Sequence, residues 1–282
     1  MNSSENPALR ADAPIGVFDS GIGGLTVVRQ LIDLLPNENI VYFGDTARVP
    51  YGNKSSDVVR EYAAQDVRFL LSKKVKLIVV ACNTASAVAI DVVDAHSTVP
   101  AIGVIEPTAR EAIRLAGEGG IGVIGTLSTI NSHAYSTALK NLNEDVKVMM
   151  QACPLFVPLA EEGLYDHAAT HIIAREYLSQ FAGRIDVLIL GCTHYPLLRG
   201  AIAQAVGEEV KLIDAGEATA KSVQSLLAST NTLNRQKSKP RYEFYVSDFP
   251  QKFNEIAERF LGRKLEFVRR VQIYSDGVIA VQ

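Results

Sequence analysis

The sequence predicts an α/β protein made of two similar units with mostly parallel sheets. Short apolar runs ending in Gly, Asp, Asn or Thr are each followed by an amphipathic stretch of helix length. This alternation is typical of parallel strands that are covered on both faces by helices. Landmarks of the first half also recur in the second half, and 282 residues are enough for two domains of ~100–200 residues each.

Eight apolar runs are predicted to form the strands of the two units. A tail follows them, with a helix at 217–227, a strand at 241–247, a helix at 250–262 and a last strand at 264–271. The eight runs lie at 15–18, 40–43, 77–81, 101–105, 121–124, 146–151, 187–190 and 210–213.

Four landmarks indicate that the second unit is a copy of the first. IGVFDSG at 15–21 resembles IGVIGTL at 121–127, and KLIVVACNT at 76–84 resembles DVLILGCTH at 186–194. VPY pairs with VPL and AIGVIEP with VKLIDAG, so all four offsets lie between 106 and 110 residues. The alternative is the general repetitiveness of parallel α/β sequences, which produces false matches.

The tail lies outside the repeat and is assigned to the first half, whose sheet edge otherwise lacks a neighbour. The predicted organisation is a polar extension at 1–13, a discontinuous first α/β domain at 14–106 and 217–282, and a second α/β domain at 107–216. A site in the cleft between the two domains is expected.

Composition excludes several classes of protein. The chain has 31 acidic and 28 basic residues, a net charge of −3, so neither nucleic acid nor an anionic membrane is an expected partner. No apolar run approaches the ~18 residues that span a bilayer. The first thirteen residues lack the apolar stretch of a secretory signal, and three cysteines are too few for a disulfide framework. A cytoplasmic location is expected.

Candidate site residues are those that follow the predicted strands, because parallel α/β sheets bind ligands beyond the carboxyl ends of their strands. From the first half and then the second, they are Asp19, Ser20, Pro50, Tyr51, Gly52, Cys82, Asn83, Thr84, Thr126, Glu161, Cys192, Thr193 and His194.

Cys82 and Cys192 occupy equivalent positions in the two units, each followed by small polar residues that are expected to begin a helix. A helix N-terminus favours the thiolate and lowers the pKa of a thiol. Both cysteines are therefore candidate bases, although free cysteines often only pack in a core. Cys153 precedes a proline in an apolar stretch and is interpreted as a packing residue.

Other interpretations of these residues compete. Zinc is the main rival for Cys192 and His194, but there is no CxxC pair. DSGIGGL lacks the ending of a P-loop and the GxGxxG spacing, so its glycines are expected to let the backbone approach a small ligand. Asp19 is equally consistent with a helix N-cap, His194 with a core histidine and Glu161 with a solvated helix residue.

Two thiols on opposite walls of a cleft suit the inversion of an amino acid at Cα. One thiolate removes the proton from one face, and the other thiol delivers a proton to the opposite face. No metal, dinucleotide or pyridoxal-phosphate motif is recognisable, so no cofactor is expected, although a pyridoxal lysine remains open.

Five motifs, IGVFDSGIGGLTV, YFGDTARVPYG, ACNTASA, GVIEP and GCTHYPLL, make residues 15–214 resemble bacterial glutamate racemases of the cofactor-independent aspartate/glutamate racemase superfamily. The resemblance implies a pseudo-symmetric α/β fold that interconverts L- and D-glutamate and supplies D-glutamate for peptidoglycan. It implies that Cys82 removes the proton from D-glutamate and Cys192 from L-glutamate.

By the same resemblance, Asp19, His194 and Glu161 assist the thiols and the ammonium proton, and Ala160 replaces the usual Val before that glutamate. The implied substrate-binding residues are Asp19, Ser20, Tyr51, Gly52, Asn83, Thr84, Thr193 and His194. Pro50 and Thr126 join them as candidates from their positions.

Alternatives to glutamate racemisation stay open at this point. They are an aspartate racemase or another superfamily enzyme with the same thiol pair, and a hydrolase with Cys192 as nucleophile and His194 as base, which leaves Cys82 unexplained. A homodimer is also open. Some members of the family are reported to bind DNA gyrase, and the acidic net charge favours contact with the protein rather than with DNA.

Overall fold

The computed structural model describes residues 10–236, 238–265, 267–273 and 279–281. Residues 1–9 of the predicted extension lie outside the described residues. The first elements are β1 (Ile15–Asp19), α1 (Leu25–Leu34), β2 (Ile40–Gly44), α2 (Ser56–Ser72), β3 (Leu77–Val80), α3 (Asn83–Val88), α4 (Ile90–His96) and β4 (Ala101–Gly103).

The repeat then begins again. The next elements are α5 (Ile105–Leu115), β5 (Gly120–Gly125), α6 (Leu127–Asn131), α7 (Ala134–Leu142), β6 (Val148–Ala152), α8 (Phe156–Glu161), α9 (Ala168–Leu178), β7 (Ile185–Gly191), α10 (Arg199–Val206) and β8 (Lys211–Asp214). The tail holds α11 (Ala215–Ser229), β9 (Tyr242–Val246), α12 (Pro250–Leu261), β10 (Val268–Ile273) and β11 (Ile279–Val281).

The strands form two sheets. The larger has the order β11-β10-β9-β2-β1-β3-β4, and the smaller has the order β6-β5-β7-β8. The described strand pairs are parallel apart from β10 with β11. The predicted α/β class with mostly parallel sheets is confirmed.

The two sheets share one internal order. β2-β1-β3-β4 in the larger sheet matches β6-β5-β7-β8 in the smaller sheet, strand for strand. Cys82 follows β3, and Cys192 follows β7, the equivalent strand. The two cysteines therefore lie at the carboxyl ends of corresponding strands.

Helices bury both faces of each sheet. In the larger sheet, Val17 and Tyr42 face the side covered by α1, α11 and α12, whereas Phe18 and Phe43 face the side covered by α2. The smaller sheet likewise has one cluster with α8, α9 and α10 and another with α5 and α7. Burial of each such side chain stabilises the fold by about 1.5–3 kcal/mol, which explains the continuous apolar runs.

The tail pairs with the larger sheet, because β9 lies parallel to β2 over its full length, from Tyr242 beside Ile40 to Val246 beside Gly44. Helix α11 packs against both α1 and α5. The domain limits at 14–106, 107–216 and 217–282 stay a prediction. No helix among the described residues is both long and apolar enough to cross a membrane.

Two details of the predicted elements are wrong. The run at 101–105 ends as a strand at Gly103, and Ile105 already begins α5, because Pro107 fits the first turn of a helix better than a strand. The short strand β11 was missed, since three residues paired at the edge of a sheet give little periodic signal.

Candidate active site

The carboxylate of Asp19 is buried at the end of β1. Its Oδ2 accepts a hydrogen bond from the backbone N–H of Gly21 at 3.1 Å, while its Oδ1 is buried with no hydrogen-bond partner among the described residues. Burial raises the pKa of Asp19, although the charge of His194 lowers it in part. Helix α1 begins only at Leu25, so the alternative that Asp19 is a helix N-cap is wrong.

Two glycines after Asp19 allow close approach of other chain segments. A Cβ on Gly23 would collide with the side chains of Thr193 and His194, and a Cβ on Gly24 would collide with Asp19 and the hydroxyl of Tyr42. The glycine-rich turn therefore lets the first unit contact the second, in addition to any role in approaching a ligand.

Cys82 is the N-cap of α3, and its Sγ accepts a hydrogen bond from the backbone N–H of Ala85 at 3.4 Å. Burial, followed by the negative charge of Asp19, raises the pKa of Cys82 to about 12, against smaller opposing effects of hydrogen bonds from Ala85 and Ser20. The expected lowering of its pKa by the helix N-terminus is wrong, because desolvation of the thiolate outweighs the helix end. Cys82 is a protonated thiol at neutral pH.

Cys192 has different neighbours. Its Sγ lies 3.9 Å from Nδ1 of His194, and Nε2 of the same ring lies 3.1 Å from Oε1 of Glu161. Burial lowers the pKa of His194, but its contacts with Cys192 and Glu161 outweigh this and raise the pKa to about 10. A protonated imidazole therefore lies beside the Cys192 sulfur at neutral pH.

The backbone after Cys192 differs from the expected helix start. A tight turn at Thr193 and His194 leads into a short 3₁₀ helix, Tyr195–Leu198, and only then into α10. This turn directs His194 back towards Cys192. The ring of His194 also packs against Phe260 of α12, with ring centroids 5.2 Å apart. His194 is therefore packed as a core histidine would be, but it also contacts Glu161. Neither the core-histidine alternative nor the solvated-Glu161 alternative accounts for that contact.

Three threonine hydroxyls meet between the two sheets. Thr84 of α3 lies 3.0 Å from Thr126 and 3.2 Å from Thr129, measured between Oγ1 atoms, and the latter two are 3.0 Å apart. Thr126 is the N-cap of α6 and accepts the backbone N–H of Thr129 at 3.2 Å. Thr129 was not predicted; its place three residues after the strand-end Thr126 is the signal that could have found it.

Asn83 also reaches the second unit. Its Oδ1 accepts a hydrogen bond of 2.6 Å from the hydroxyl of Tyr135 on α7, whereas its buried Nδ2 has no partner among the described residues. Tyr135 was not predicted, because nothing in the spacing of an α7 residue places it beside Asn83.

The loop after β2 contributes backbone rather than side chains. Tyr51 is fully buried, and its hydroxyl lies 2.5 Å from Asp45 and 3.1 Å from Asp66, so its ring is not available to a ligand. A Cβ on Gly52 would lie 2.7 Å from Cβ of Thr126, which places this loop against the second unit. Pro50 is exposed.

These contacts bring most of the predicted residues together. Thr193 connects the two units. Its carbonyl accepts a 2.9 Å hydrogen bond from Thr26 of α1, and its side chain lies beside Gly23. Ser20 is half-buried next to Cys82. Cys153 does not join the site: it is fully buried in the core of the smaller sheet, and burial raises its pKa.

Comparison with known proteins assigns this arrangement to a family. The pattern of the Asp/Glu/hydantoin racemase family matches residues 15–223. The chain belongs to this racemase family. It is 51% identical to the glutamate racemase of Chlorobaculum tepidum over 263 residues, which are 93% of this chain and 97% of that protein.

Solved structures of the racemase family have the same fold. The glutamate racemase of Francisella tularensis, solved in complex with D-glutamate, is 43% identical with a TM-score of 0.87 and covers 95% of this chain and 100% of that one. The glutamate racemase of Bacillus anthracis is 40% identical with a TM-score of 0.90 and covers 94% and 99%. The two-unit arrangement is thus that of the racemase family over nearly the whole chain.

The described residues include no group of three or more His, Cys, Asp and Glu side chains placed to hold a metal ion. In place of a metal, His194 has Glu161 on one ring nitrogen and Cys192 near the other. Chemically, the arrangement holds two thiols, which are groups able to exchange protons, together with nearby hydroxyl and amide groups.

Proposed function

We propose that this protein interconverts L- and D-glutamate by moving the Cα proton between Cys82 and Cys192. The observation that supports this proposal most is that the two cysteines follow equivalent strands, β3 and β7, of two sheets with the same internal order. The contacts of Thr84 with Thr126 and of Asn83 with Tyr135 join the carboxyl ends of these sheets. The activity of relatives that are about half identical supports glutamate as the substrate.

Neutral donors hold the substrate in this proposal. Ser20, Thr84 and Thr193 present hydroxyl groups, and Asn83 presents an amide, around the two thiols. Carboxylate oxygens accept hydrogen bonds from such groups. Neutral donors of this kind do not take protons from the thiols or give protons to them. Pro50 and Gly52 shape the wall next to Thr126 through their backbone, as does Tyr51.

In the L-to-D direction Cys192 is the base and Cys82 is the acid. The imidazolium of His194, held by Glu161, lies where it stabilises negative charge on the Cys192 sulfur. Cys82, whose pKa is about 12, carries the proton that is delivered to the opposite face of Cα. The resting charges of the two walls suit this direction directly.

In the D-to-L direction Cys82 must first lose its proton. Asp19 lies close enough to raise the pKa of this thiol, and its buried Oδ1 is free of hydrogen bonds within the described chain. Asp19 accordingly takes the Cys82 proton, and the substrate ammonium group supplies the compensating positive charge. The imidazolium of His194 gives a proton to the Cys192 sulfur, and the resulting Cys192 thiol delivers that proton to the opposite face of Cα.

The test is an assay of racemisation with purified protein that has been dialysed against a chelator. L-Glutamate should racemise without added metal or pyridoxal phosphate, with a kcat/KM at least tenfold above that for L-aspartate. Restoration of a lost activity by zinc or pyridoxal phosphate would contradict the cofactor-free mechanism. A preference for L-aspartate would contradict the substrate assignment and leave the two-thiol chemistry intact.

Use of the product D-glutamate for peptidoglycan supports a cytoplasmic location in this proposal. A homodimer and a contact with DNA gyrase stay predictions from the resemblance. Light scattering after size-exclusion chromatography measures the first, and binding of purified gyrase measures the second. A monomer at micromolar concentration would exclude the stable dimer.

A further inference from the structure

The hydrogen bond between Tyr135 and Asn83 crosses from one unit to the other. Tyr135 is the second residue of α7 in the second unit, and Asn83 is the first residue of α3, directly after Cys82. The hydroxyl and Oδ1 are 2.6 Å apart, and both residues are at most 3% exposed. The contact therefore joins the second unit to the residue directly after a candidate base.

In the structure the Asn83 amide turns its oxygen towards Tyr135. A phenol hydroxyl both donates and accepts, whereas Oδ1 of an amide only accepts, so Tyr135 is the donor in this pair. Burial raises the pKa of Tyr135, so the phenol keeps its proton throughout the neutral range. With Oδ1 bound to Tyr135, the amide must present its two N–H groups on the opposite side.

The remaining half of the amide is unsatisfied. Nδ2 of Asn83 is buried and has no acceptor among the described residues, and an unpaired buried donor is costly to the fold. An acceptor that enters beside Cys82 would satisfy this donor, and a carboxylate oxygen of an amino acid is such an acceptor. A buried donor without a protein acceptor is typical of a binding site rather than of a core.

We propose that Tyr135 is a positioning residue that orients the Asn83 amide so that Nδ2 donates to a substrate carboxylate. The inference rests on the proposed racemase function and extends it to a residue on α7. It also makes carboxylate binding depend on contact between the two units, because the group that orients Asn83 belongs to the opposite unit. Tyr135 itself need not touch the substrate.

The test is the variant Tyr135→Phe, which removes the hydroxyl and keeps the ring. We expect KM for both glutamate enantiomers to rise about tenfold with kcat changed less than twofold, as expected for lost binding that is common to ground and transition states. The matched control is Tyr245→Phe, which removes a 2.7 Å hydrogen bond to Glu243 on β9 and should leave KM unchanged.

A second variant separates orientation from general destabilisation. In an Asn83→Ala background, the addition of Tyr135→Phe should raise KM no further, since the oriented group is already absent. Full additivity of the two effects, an unchanged KM in Tyr135→Phe, or a fall in kcat alone would overturn the inference. Because the wild-type activity is measured in the same assay, failure of the proposed function would appear separately, as an inactive wild type.

A measurement on the wild-type protein covers the case in which Tyr135→Phe does not fold. The side-chain amide resonances of Asn83, identified by their loss in Asn83→Ala, should shift and exchange more slowly with solvent when D-glutamate is added. Resonances that do not change at saturating D-glutamate would overturn the inference.

Discussion

Cys82 and Cys192 occupy equivalent positions in two copies of one fold, yet their electrostatic surroundings are opposite. Cys82 lies near the carboxylate of Asp19 and has a pKa of about 12. Cys192 lies 3.9 Å from His194, whose pKa is about 10. Both cysteines are similarly buried, at 5% and 6% exposure, so charge rather than access distinguishes them. The duplicated fold fixes where the two sulfurs lie, and their neighbours place a carboxylate near one and an imidazolium beside the other.

The largest expected effect is the loss of either thiol. Cys82→Ser and Cys192→Ser should each lower kcat in both directions by at least about 10²–10⁴-fold, because every turnover needs one residue as base and the other as acid. Initial rates by circular dichroism with each enantiomer measure this loss. Cys153→Ala is the control and should retain activity within about twofold. A Cys82→Ser enzyme that racemises at nearly the wild-type rate would end the two-thiol account.

The next effect concerns the groups that make the two walls different. Asp19→Asn and His194→Asn should each lower kcat by about 10²-fold, since each removes a group that assists proton transfer at one thiol. The enantiomers have equal free energies, so kcat/KM must fall equally in the two directions. The asymmetry should appear in the kinetic isotope effects measured with substrate deuterated at Cα. In His194→Asn the isotope effect should increase more for L-glutamate than for D-glutamate, and in Asp19→Asn it should increase more for D-glutamate. Equal isotope effects in both variants would remove the division of roles.

The resting difference between the thiols can be measured by alkylation. A pKa of about 12 leaves roughly one Cys82 thiol in 10⁵ ionised at pH 7, so iodoacetamide should modify Cys192 first, and glutamate should protect it. The Cys82 rate should keep rising with pH as long as the protein stays folded. Peptide mass spectrometry resolves both sites. Faster modification of Cys82 at pH 7 would show that the charge assignment of the two walls is reversed.

The smallest expected effect lies at the neutral donors that the two walls share. Thr84→Ala, Ser20→Ala and Thr193→Ala should raise KM about threefold to tenfold with little change in kcat, as lost uniform binding does. Thr219→Ala, which removes a buried hydroxyl within α11, is the control. A pattern in which these variants lower kcat as much as His194→Asn would place the donors in the chemical step.

Most of the fold was predictable from the sequence because buried parallel strands leave continuous apolar runs. Strand β1 was predicted at 15–18 and ends one residue later, at Asp19. The repeat placed Cys82 and Cys192 at matching strand ends for the same reason. The edge strand β11 and the start of α5 at Ile105 were missed or misassigned, because pairing at an edge and the first turn of a helix give weak local signals.

The residues that complete the site could not be predicted in the same way. Tyr135 and Thr129 lie on helices, and their contacts with Asn83 and Thr84 depend on how two units pack. The pKa of Cys82 was expected to fall and instead rises, because burial and Asp19 act through the tertiary structure. The sequence reports strand ends well, but it does not report desolvation or which side chains meet across an interface.

The most direct test of the central claim is the isotope content of the first product formed in deuterated water. Protiated L-glutamate should give D-glutamate that carries deuterium at Cα, because Cys192 removes the proton and solvent-exchanged Cys82 returns deuterium from the other face. Unreacted L-glutamate should remain largely protiated during early turnover. Early D-glutamate that retains a substantial share of substrate protium would show that one base serves both faces and would contradict the two-thiol mechanism.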